Sequence, residues 1–206
     1  MTKKQLVRTI GFLFLLAFAT LYSFAQRIEV HFDKEFSNDS LMNKTIGVGG
    51  AFIMDEWHPN LDFQIDFDYT GHKGKVDYLG VAQKFSKYKF GVAALYTRPL
   101  GTRFQLRAGG EVSYNNIKKT VSVQQDSITH SLSSTTYRAN MLGIGAIVQI
   151  QVKLGKIFRI GAGVTPTYLI PLNAKVDRPN VARQYNKGIF AVQIQIGIEI
   201  KLSNNN

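Results

Sequence analysis

The C-terminal segment 190–202 alternates strictly between apolar side chains and polar or small ones. Its apolar positions are Phe190, Val192, Ile194, Ile196, Ile198, Ile200 and Leu202. A period of two puts all of these side chains on one face of a β-strand, whereas the 3.6-residue period of a helix would spread them around its circumference. The segment therefore predicts a strand with one apolar and one polar face, and the fold must cover that apolar face.

The same alternation recurs upstream and predicts eight antiparallel strands in all. Residues 104–115 are the clearest case, because Phe104 and Tyr114 lie on one face while Arg107 and Glu111 lie on the other. The predicted strands are 45–55, 61–70, 75–84, 88–98, 104–115, 142–154, 157–168 and 190–202. This number of amphipathic strands predicts an all-β fold, an eight-stranded antiparallel transmembrane β-barrel.

The predicted connections differ in length. The turns at 99–102 and 154–156 are tight, whereas segments 116–136 and 169–187 are long and polar. Outer-membrane barrels have short periplasmic turns and longer external loops, so both long segments are expected outside the cell. By the same count the two ends of the barrel fall in the periplasm, and the short segments around 56–60 and 86–87 become external.

The N-terminus has the layout of a secretory signal peptide, in which basic residues precede an apolar stretch and then small residues. The apolar stretch spans 10–21 and is too short for a membrane-spanning helix, which needs about 20 residues. We therefore expect residues 1–25 to be a cleaved signal peptide, with an uncleaved anchor as the alternative.

The rest of the chain divides around the predicted barrel, which spans 45–202. An extra strand would spoil the even strand count, so residues 26–44 are interpreted as a periplasmic N-terminal lead-in. Residues 203–206 form a polar tail.

Composition excludes several kinds of protein. The chain has no cysteine, which excludes a disulfide scaffold and a lipidated N-terminal cysteine. Its formal net charge of +11 favours anionic partners. For an exported protein these are lipopolysaccharide phosphates or other anionic glycans, and nucleic acid is not expected.

The polar faces of the predicted strands indicate which side meets lipid. They are rich in glycine and in charges of both signs, which suits the crowded lumen of an eight-stranded barrel. The apolar faces tend to end in aromatic residues, as in the interfacial girdles of membrane barrels. The predicted lumen charge network consists of Asp62, Asp66, Asp68, Arg107, Glu111, Arg159, Glu199 and Lys201. The alternative is a soluble ligand-binding barrel, in which the apolar faces point inward.

With these features the chain resembles the small bacterial outer-membrane barrels typified by the OmpA transmembrane domain and OmpX. It looks more closely like the PorT-like barrels. The resemblance covers residues 45–202 and includes the pieces at 96–101 and 107–114. It implies insertion into the outer membrane by the barrel-insertion machinery.

No metal or cofactor site is predicted. His31, Asp33 and Glu35 would share a side if extended, but solvated polar residues are the favoured interpretation over a weak metal site. The Gly-x-Gly pairs at 143–145 and 161–163 lack the third glycine and the following helix of a dinucleotide loop.

Catalysis is not expected either. Lipid A enzymes exist on this scaffold, yet the adjacent candidates Asp126, Ser127, His130 and Ser131 lie in a long polar segment that would not fix a base against a nucleophile. The predicted function is a non-enzymatic anchor that presents basic loops to lipopolysaccharide, a surface or a secretion partner. The alternative is a lipid A-modifying enzyme. The predicted loop basic patch consists of Lys118, Lys119, Arg138, Lys175, Arg178, Arg183 and Lys187.

Overall fold

The computed structural model describes residues 27–38, 45–58, 60–73, 81–124, 132–176 and 188–202. Its strands are β1 (Arg27–Ser37), β2 (Ile46–His58), β3 (Leu61–Lys73), β4 (Val81–Leu100), β5 (Phe104–Gln124), β6 (Leu132–Lys153), β7 (Phe158–Val176) and β8 (Ile189–Lys201). They pair antiparallel in chain order, and β8 closes on β1. The prediction of an eight-stranded antiparallel barrel is confirmed. Within the described residues, no helix is long and apolar enough to cross a membrane.

Two predicted elements are wrong, and the two errors cancel in the strand count. The segment interpreted as a lead-in contains β1, which pairs with β2 and with β8, so the barrel begins at Arg27. The strands predicted at 75–84 and 88–98 are not separate, because β4 runs without interruption from Val81 to Leu100. Ser86 and Lys87, expected in an external loop, therefore lie inside a strand.

The tight turns mark one end of the barrel. Gly101 and Gly155 have φ values of 83° and 129°, a backbone conformation that favours glycine, and each lies in a tight connection between two long strands. The pairing of Arg27 with Lys201 puts the start of β1 and the end of β8 at this same end. The connection between β2 and β3 also lies here, so its predicted external position is wrong. Counted back from the turn at Gly101, the predicted break within β4 inverted the orientation assigned to the strands that precede it.

The strands extend beyond the predicted ones. β5 continues to Gln124 and β6 begins at Leu132, so most of the predicted loop 116–136 is paired sheet. β7 likewise continues to Val176, inside the predicted loop 169–187. Interstrand hydrogen bonds satisfy the backbone in water as well as in lipid, so a ladder need not stop at the membrane surface.

The apolar side chains face outward, which contradicts a soluble ligand-binding barrel. On β8 the side chain of Ile196 is 61% exposed and its neighbour Gln195 is 6% exposed. On β5 the outward apolar band runs from Phe104 to Tyr114 and fits the roughly 9–11 residues that a tilted strand needs to cross a bilayer. Polar residues follow on the same face, beginning with Asn116.

Candidate functional site

The inward faces of the strands carry a network of charged side chains, and its lower layer lies near the tight-turn end. Arg107 is fully buried there, 3.2 Å from Asp62, 3.7 Å from Glu199 and 2.9 Å from Oε1 of Gln149. Arg27 donates to the same two carboxylates, at 2.7 Å to Asp62 and 2.9 Å to Glu199. Two guanidinium groups thus share two carboxylates, and the shared bonds offset the cost of burying the charges.

A middle layer is built around Lys89, on β4. Its Nζ lies 2.7 Å from Glu111, 3.2 Å from Asp66 and 3.3 Å from Asp68. The imidazole Nε2 of His31 lies 2.8 Å from the other oxygen of Asp68. The residues come from four strands, so the layer links opposite walls of the barrel.

Towards the other end the lumen becomes apolar. Lys87 and Glu35 form an ion pair beside a cavity of about 10 Å³, room for about one water molecule. Above them lies a cluster of buried apolar side chains, Phe85, Ile117, Ala139, Met141, Leu169, Ile189 and Ala191. Polar layers and an apolar cluster therefore fill the described part of the lumen.

The structure brings most residues of the predicted lumen charge network together. Its members Asp62, Asp66, Asp68, Arg107, Glu111 and Glu199 are all buried in these layers. Arg159 is partly exposed at the rim and lies 3.2 Å from Glu199. Lys201 is half-buried at the same rim, outside the ion pairs described above.

Sequence reasoning missed about half of the network. The missed charged members are Arg27, Glu29, His31, Asp33, Glu35, Lys87 and Lys89. The interpretation of His31, Asp33 and Glu35 as solvated polar residues is wrong, because each is at most 3% exposed. The alternation of β1, with Ile28, Val30 and Phe32 outward, was the signal that could have placed them.

The predicted basic patch lies on strands where the structure describes it. Lys118 is on β5 and Arg138 is on β6, both exposed on the outer face, while Lys119 is on the inner side of β5. Lys175 is on β7. The assignment of these four residues to loops is therefore wrong. Arg178, Arg183 and Lys187 lie outside the described residues, as do the catalytic candidates Asp126, Ser127, His130 and Ser131.

The strand register aligns three basic residues near the end of the sheet that is opposite the tight turns. Lys118 is opposite Arg138, and Arg138 is opposite Lys175, so the three positions occupy neighbouring strands in one hydrogen-bonded row. We call Lys118, Arg138 and Lys175 the basic row. Below it, Asn116 donates to Asn140 at 2.7 Å.

An aromatic cluster lies beside the asparagine pair on the outer face, because Tyr88 is opposite Asn116 in the strand register. The rings of Phe67 and Phe90 are 5.0 Å apart, as are those of Tyr69 and Tyr88. A groove of about 440 Å³ runs between these rings and reaches Tyr114 and Asn116. Aromatic residues outside and charges inside match the design of outer-membrane barrels.

Solved structures of the same shape come from several bacteria. Neisserial surface protein A aligns with 15% identity and a TM-score of 0.55, covering 85% of this chain and 96% of that chain. A major outer membrane protein of Thermus thermophilus aligns with 13% identity and a TM-score of 0.62, covering 85% and 99%. Ail, the attachment invasion locus protein of Yersinia pestis, aligns with 12% identity and a TM-score of 0.53, covering 85% and 97%. These alignments show a common fold.

Sequence comparison gives the family. No curated protein sequence matches the chain significantly. The family model described as Opacity family porin protein matches residues 58–198, well over half of the chain. The closer likeness to PorT-like barrels stays a prediction, whereas the assignment to small outer-membrane barrels is confirmed. The chain therefore belongs to the Opacity porin family and is an integral β-barrel of the bacterial outer membrane.

Proposed function

We propose that this barrel is a non-enzymatic membrane anchor whose basic row binds the phosphate groups of lipopolysaccharide in the outer leaflet. The observation that carries the proposal is the register that aligns Lys118, Arg138 and Lys175 on three neighbouring strands. Lys118 and Arg138 are exposed on the outer face, where Lys and Arg side chains are good phosphate donors and Arg can bind bidentately.

The height of the basic row supports a lipid headgroup as its ligand. Lys118 follows Tyr114 by four residues on the same face, a distance of about 13 Å along the strand. Arg138 precedes the apolar Leu142 by the same interval on β6. Aromatic side chains of the girdle mark the interface, so the basic row lies in the polar zone just beyond it.

The aromatic groove supports the same ligand. Phe67, Tyr88, Phe90 and Tyr114 supply an apolar surface, and Asn116 borders it two residues below Lys118. An amphiphile with an acyl chain and a phosphorylated headgroup presents these two chemistries in this order. Lipopolysaccharide is the outer-leaflet lipid of that kind.

Two further observations support a binding role over an enzymatic one. Among the described residues, the acids and bases that form ion pairs with each other lie inside the lumen. The apolar cluster covers them at the end of the barrel opposite the tight turns. A lipid substrate in the outer leaflet does not reach them. In addition, the aligned Yersinia pestis barrel is an attachment invasion locus protein, and attachment by a barrel of this fold supports a binding role.

Neutralising the basic row is expected to weaken lipopolysaccharide binding. Each base near an anionic membrane surface contributes about 1 kcal/mol, so Lys118→Gln with Arg138→Gln should lower affinity by roughly 30-fold. The measurement is lipopolysaccharide binding to purified barrels in detergent, titrated at low and physiological salt. Arg98→Gln with Arg103→Gln is the matched control, because both side chains are exposed at the tight-turn end.

Equal binding by the two double variants would contradict the role of the basic row. The enzymatic alternative is tested separately by the lipid A of a deletion strain. We expect an unchanged lipid A mass spectrum, whereas a lost or new acyl or headgroup modification would favour an enzyme.

A further inference from the structure

Three side chains with metal-binding atoms meet in the middle layer of the lumen. They are His31 and Asp33 on β1 and Asp68 on β3, and their ligand atoms lie within 4.8 Å of one another. Each side chain is at most 5% exposed. The group therefore lies in the protein interior, where a bound ion is shielded from solvent.

Glycines on the intervening strand make this approach possible. Gly49 is paired with both His31 and Asp68, and a Cβ atom there would overlap the carboxylate of Asp68 and the imidazole. A Cβ atom at Gly47 would overlap the carboxylate of Asp33. Residues of β1 and β3 reach each other across β2 only because β2 has no side chains at these two positions.

Asp33 is the member without a direct ion-pair partner among the described residues. Neither of its carboxylate oxygens has a well-formed hydrogen bond there, although the side chain is only 3% exposed. Gln193 on β8 lies near enough to interact with it, but an amide carries no charge to balance a carboxylate. Lys87 and His31 act on Asp33 through their charge, but Lys87 is paired directly with Glu35, two residues along the same face. A buried carboxylate without a direct ion pair is costly, and a bound cation would supply one.

The cation would replace the direct contact of 2.8 Å between Nε2 of His31 and Asp68, since the other polar atoms of these two side chains have partners elsewhere. Nδ1 of His31 lies 3.4 Å from a carboxylate oxygen of Glu29, which leaves Nε2 directed at Asp68. The second oxygen of Asp68 lies 3.3 Å from the amide of Gln193 and 3.3 Å from Nζ of Lys89. A ligating histidine commonly donates its other ring N–H to a carboxylate, as His31 can do to Glu29.

We propose that the lumen binds one divalent transition-metal ion through His31, Asp33 and Asp68. Two carboxylates and a neutral imidazole carry two negative charges, which balance a divalent cation. Imidazole with carboxylate oxygens suits Zn²⁺ or Co²⁺ better than Ca²⁺ or Mg²⁺, which prefer oxygen ligands alone. The lumen also favours a cation, since eight buried carboxylates face four buried Arg and Lys side chains among the described residues.

The test uses Co²⁺ as a spectroscopic substitute for Zn²⁺. The full mature chain is refolded into detergent with Co²⁺, because the filled lumen is most accessible during folding, and excess ion is then removed. We expect one retained Co²⁺ per barrel, with visible absorption bands that Zn²⁺ abolishes by competition and Mg²⁺ does not. No retained ion in correctly folded wild-type barrels would overturn the proposal.

Variants locate the ion. His31→Gln and Asp33→Asn should abolish retention, and Glu29→Gln should weaken it by about 10- to 100-fold because the Glu29 carboxylate orients the imidazole of His31. Glu35→Gln is the matched control, a buried carboxylate on the same face of β1, and it should retain the ion. Equal retention in Asp33→Asn and Glu35→Gln would overturn the site.

If the variants fail to fold, the stability of the wild-type barrel with and without added metal tests the proposal. Zn²⁺ at saturating concentration should raise the urea midpoint of the wild type, because an ion that binds only the folded state stabilises it, and Mg²⁺ should not. An unchanged midpoint would overturn the proposal and would mean that His31 is held by Glu29 and Asp68 without an ion.

Discussion

Replacing Arg107 with leucine is expected to destabilise the barrel by about 3 to 5 kcal/mol, the usual cost of removing one partner from a buried ion pair. The side chain is fully buried and lies near three carboxylates, at 3.2 Å from Asp62, 3.7 Å from Glu199 and 3.9 Å from Glu29. Leucine replaces the volume of the stem but leaves excess negative charge in the lumen. The measurement is the free energy of unfolding in urea, in lipid vesicles.

A surface arginine provides the control for Arg107. Arg103 is exposed in the turn between β4 and β5, so Arg103→Leu should change stability by no more than about 0.5 kcal/mol. Adding Asp62→Asn to Arg107→Leu removes one of the carboxylates whose charge Arg107 balanced, and the double variant should lose less than the sum of the single losses. A loss below about 1 kcal/mol for Arg107→Leu would contradict the account and would mean that water, not Arg107, compensates these carboxylates.

Placing a charge on the lipid face should also be costly. Ile196 points outward from β8 within the apolar band, and Ile196→Arg is expected to cost about 2 to 4 kcal/mol in a bilayer. Gln195→Arg should cost less at nearly the same depth. Gln195 faces the lumen and its amide lies 3.5 Å from Glu29, so a guanidinium there has a carboxylate within reach.

The same urea titration in vesicles compares the two β8 variants. A smaller loss for Ile196→Arg than for Gln195→Arg would contradict the outward position of Ile196. Folding of the wild type as a monomer without any amphiphile would contradict the membrane barrel as a whole.

The C-terminal half of the fold could be predicted because its signal is local. In β5, β6 and β8 the alternation is nearly unbroken, and it gives the correct face to Arg107, Gln149 and Glu199. Lipid selects apolar residues at every second position of a spanning strand, so the sequence of such a strand carries its own orientation.

The strands of the N-terminal half were predicted incorrectly for two physical reasons. Every inward residue of β1 from Arg27 to Glu35 is charged or titratable, so the segment has the composition of a solvated linker although its outward residues are mostly apolar. In β4, Ser86, Lys87 and Lys89 have the composition of a turn. Lys87 and Lys89 pair with Glu35, Asp66 and other lumen acids, and these partners are far away in sequence.

The candidate sites also depend on contacts between distant residues. The basic row could be listed as charges, but its alignment comes from the pairing of β5 with β6 and of β6 with β7 beyond the apolar band. The cluster of His31, Asp33 and Asp68 depends on the pairing of β1 and β3 with the glycines of β2. Neither register is encoded by the period of a single strand.

The central claim is that the apolar face meets lipid while the charged face fills the lumen, and fluorescence quenching tests it most directly. The chain has one tryptophan, so Trp57→Phe gives a silent background for single tryptophans. Ile196→Trp places a reporter on the outward face, and Leu95→Trp places one on the inward face, where Leu95 is fully buried.

The measurement is tryptophan emission after refolding into vesicles of lipids with brominated acyl chains, compared with unbrominated lipids. We predict strong quenching for Ile196→Trp and weak quenching for Leu95→Trp, because only the outward side chain contacts the acyl chains. Strong quenching of Leu95→Trp together with unquenched Ile196→Trp would show that the apolar face is inside and would contradict the account.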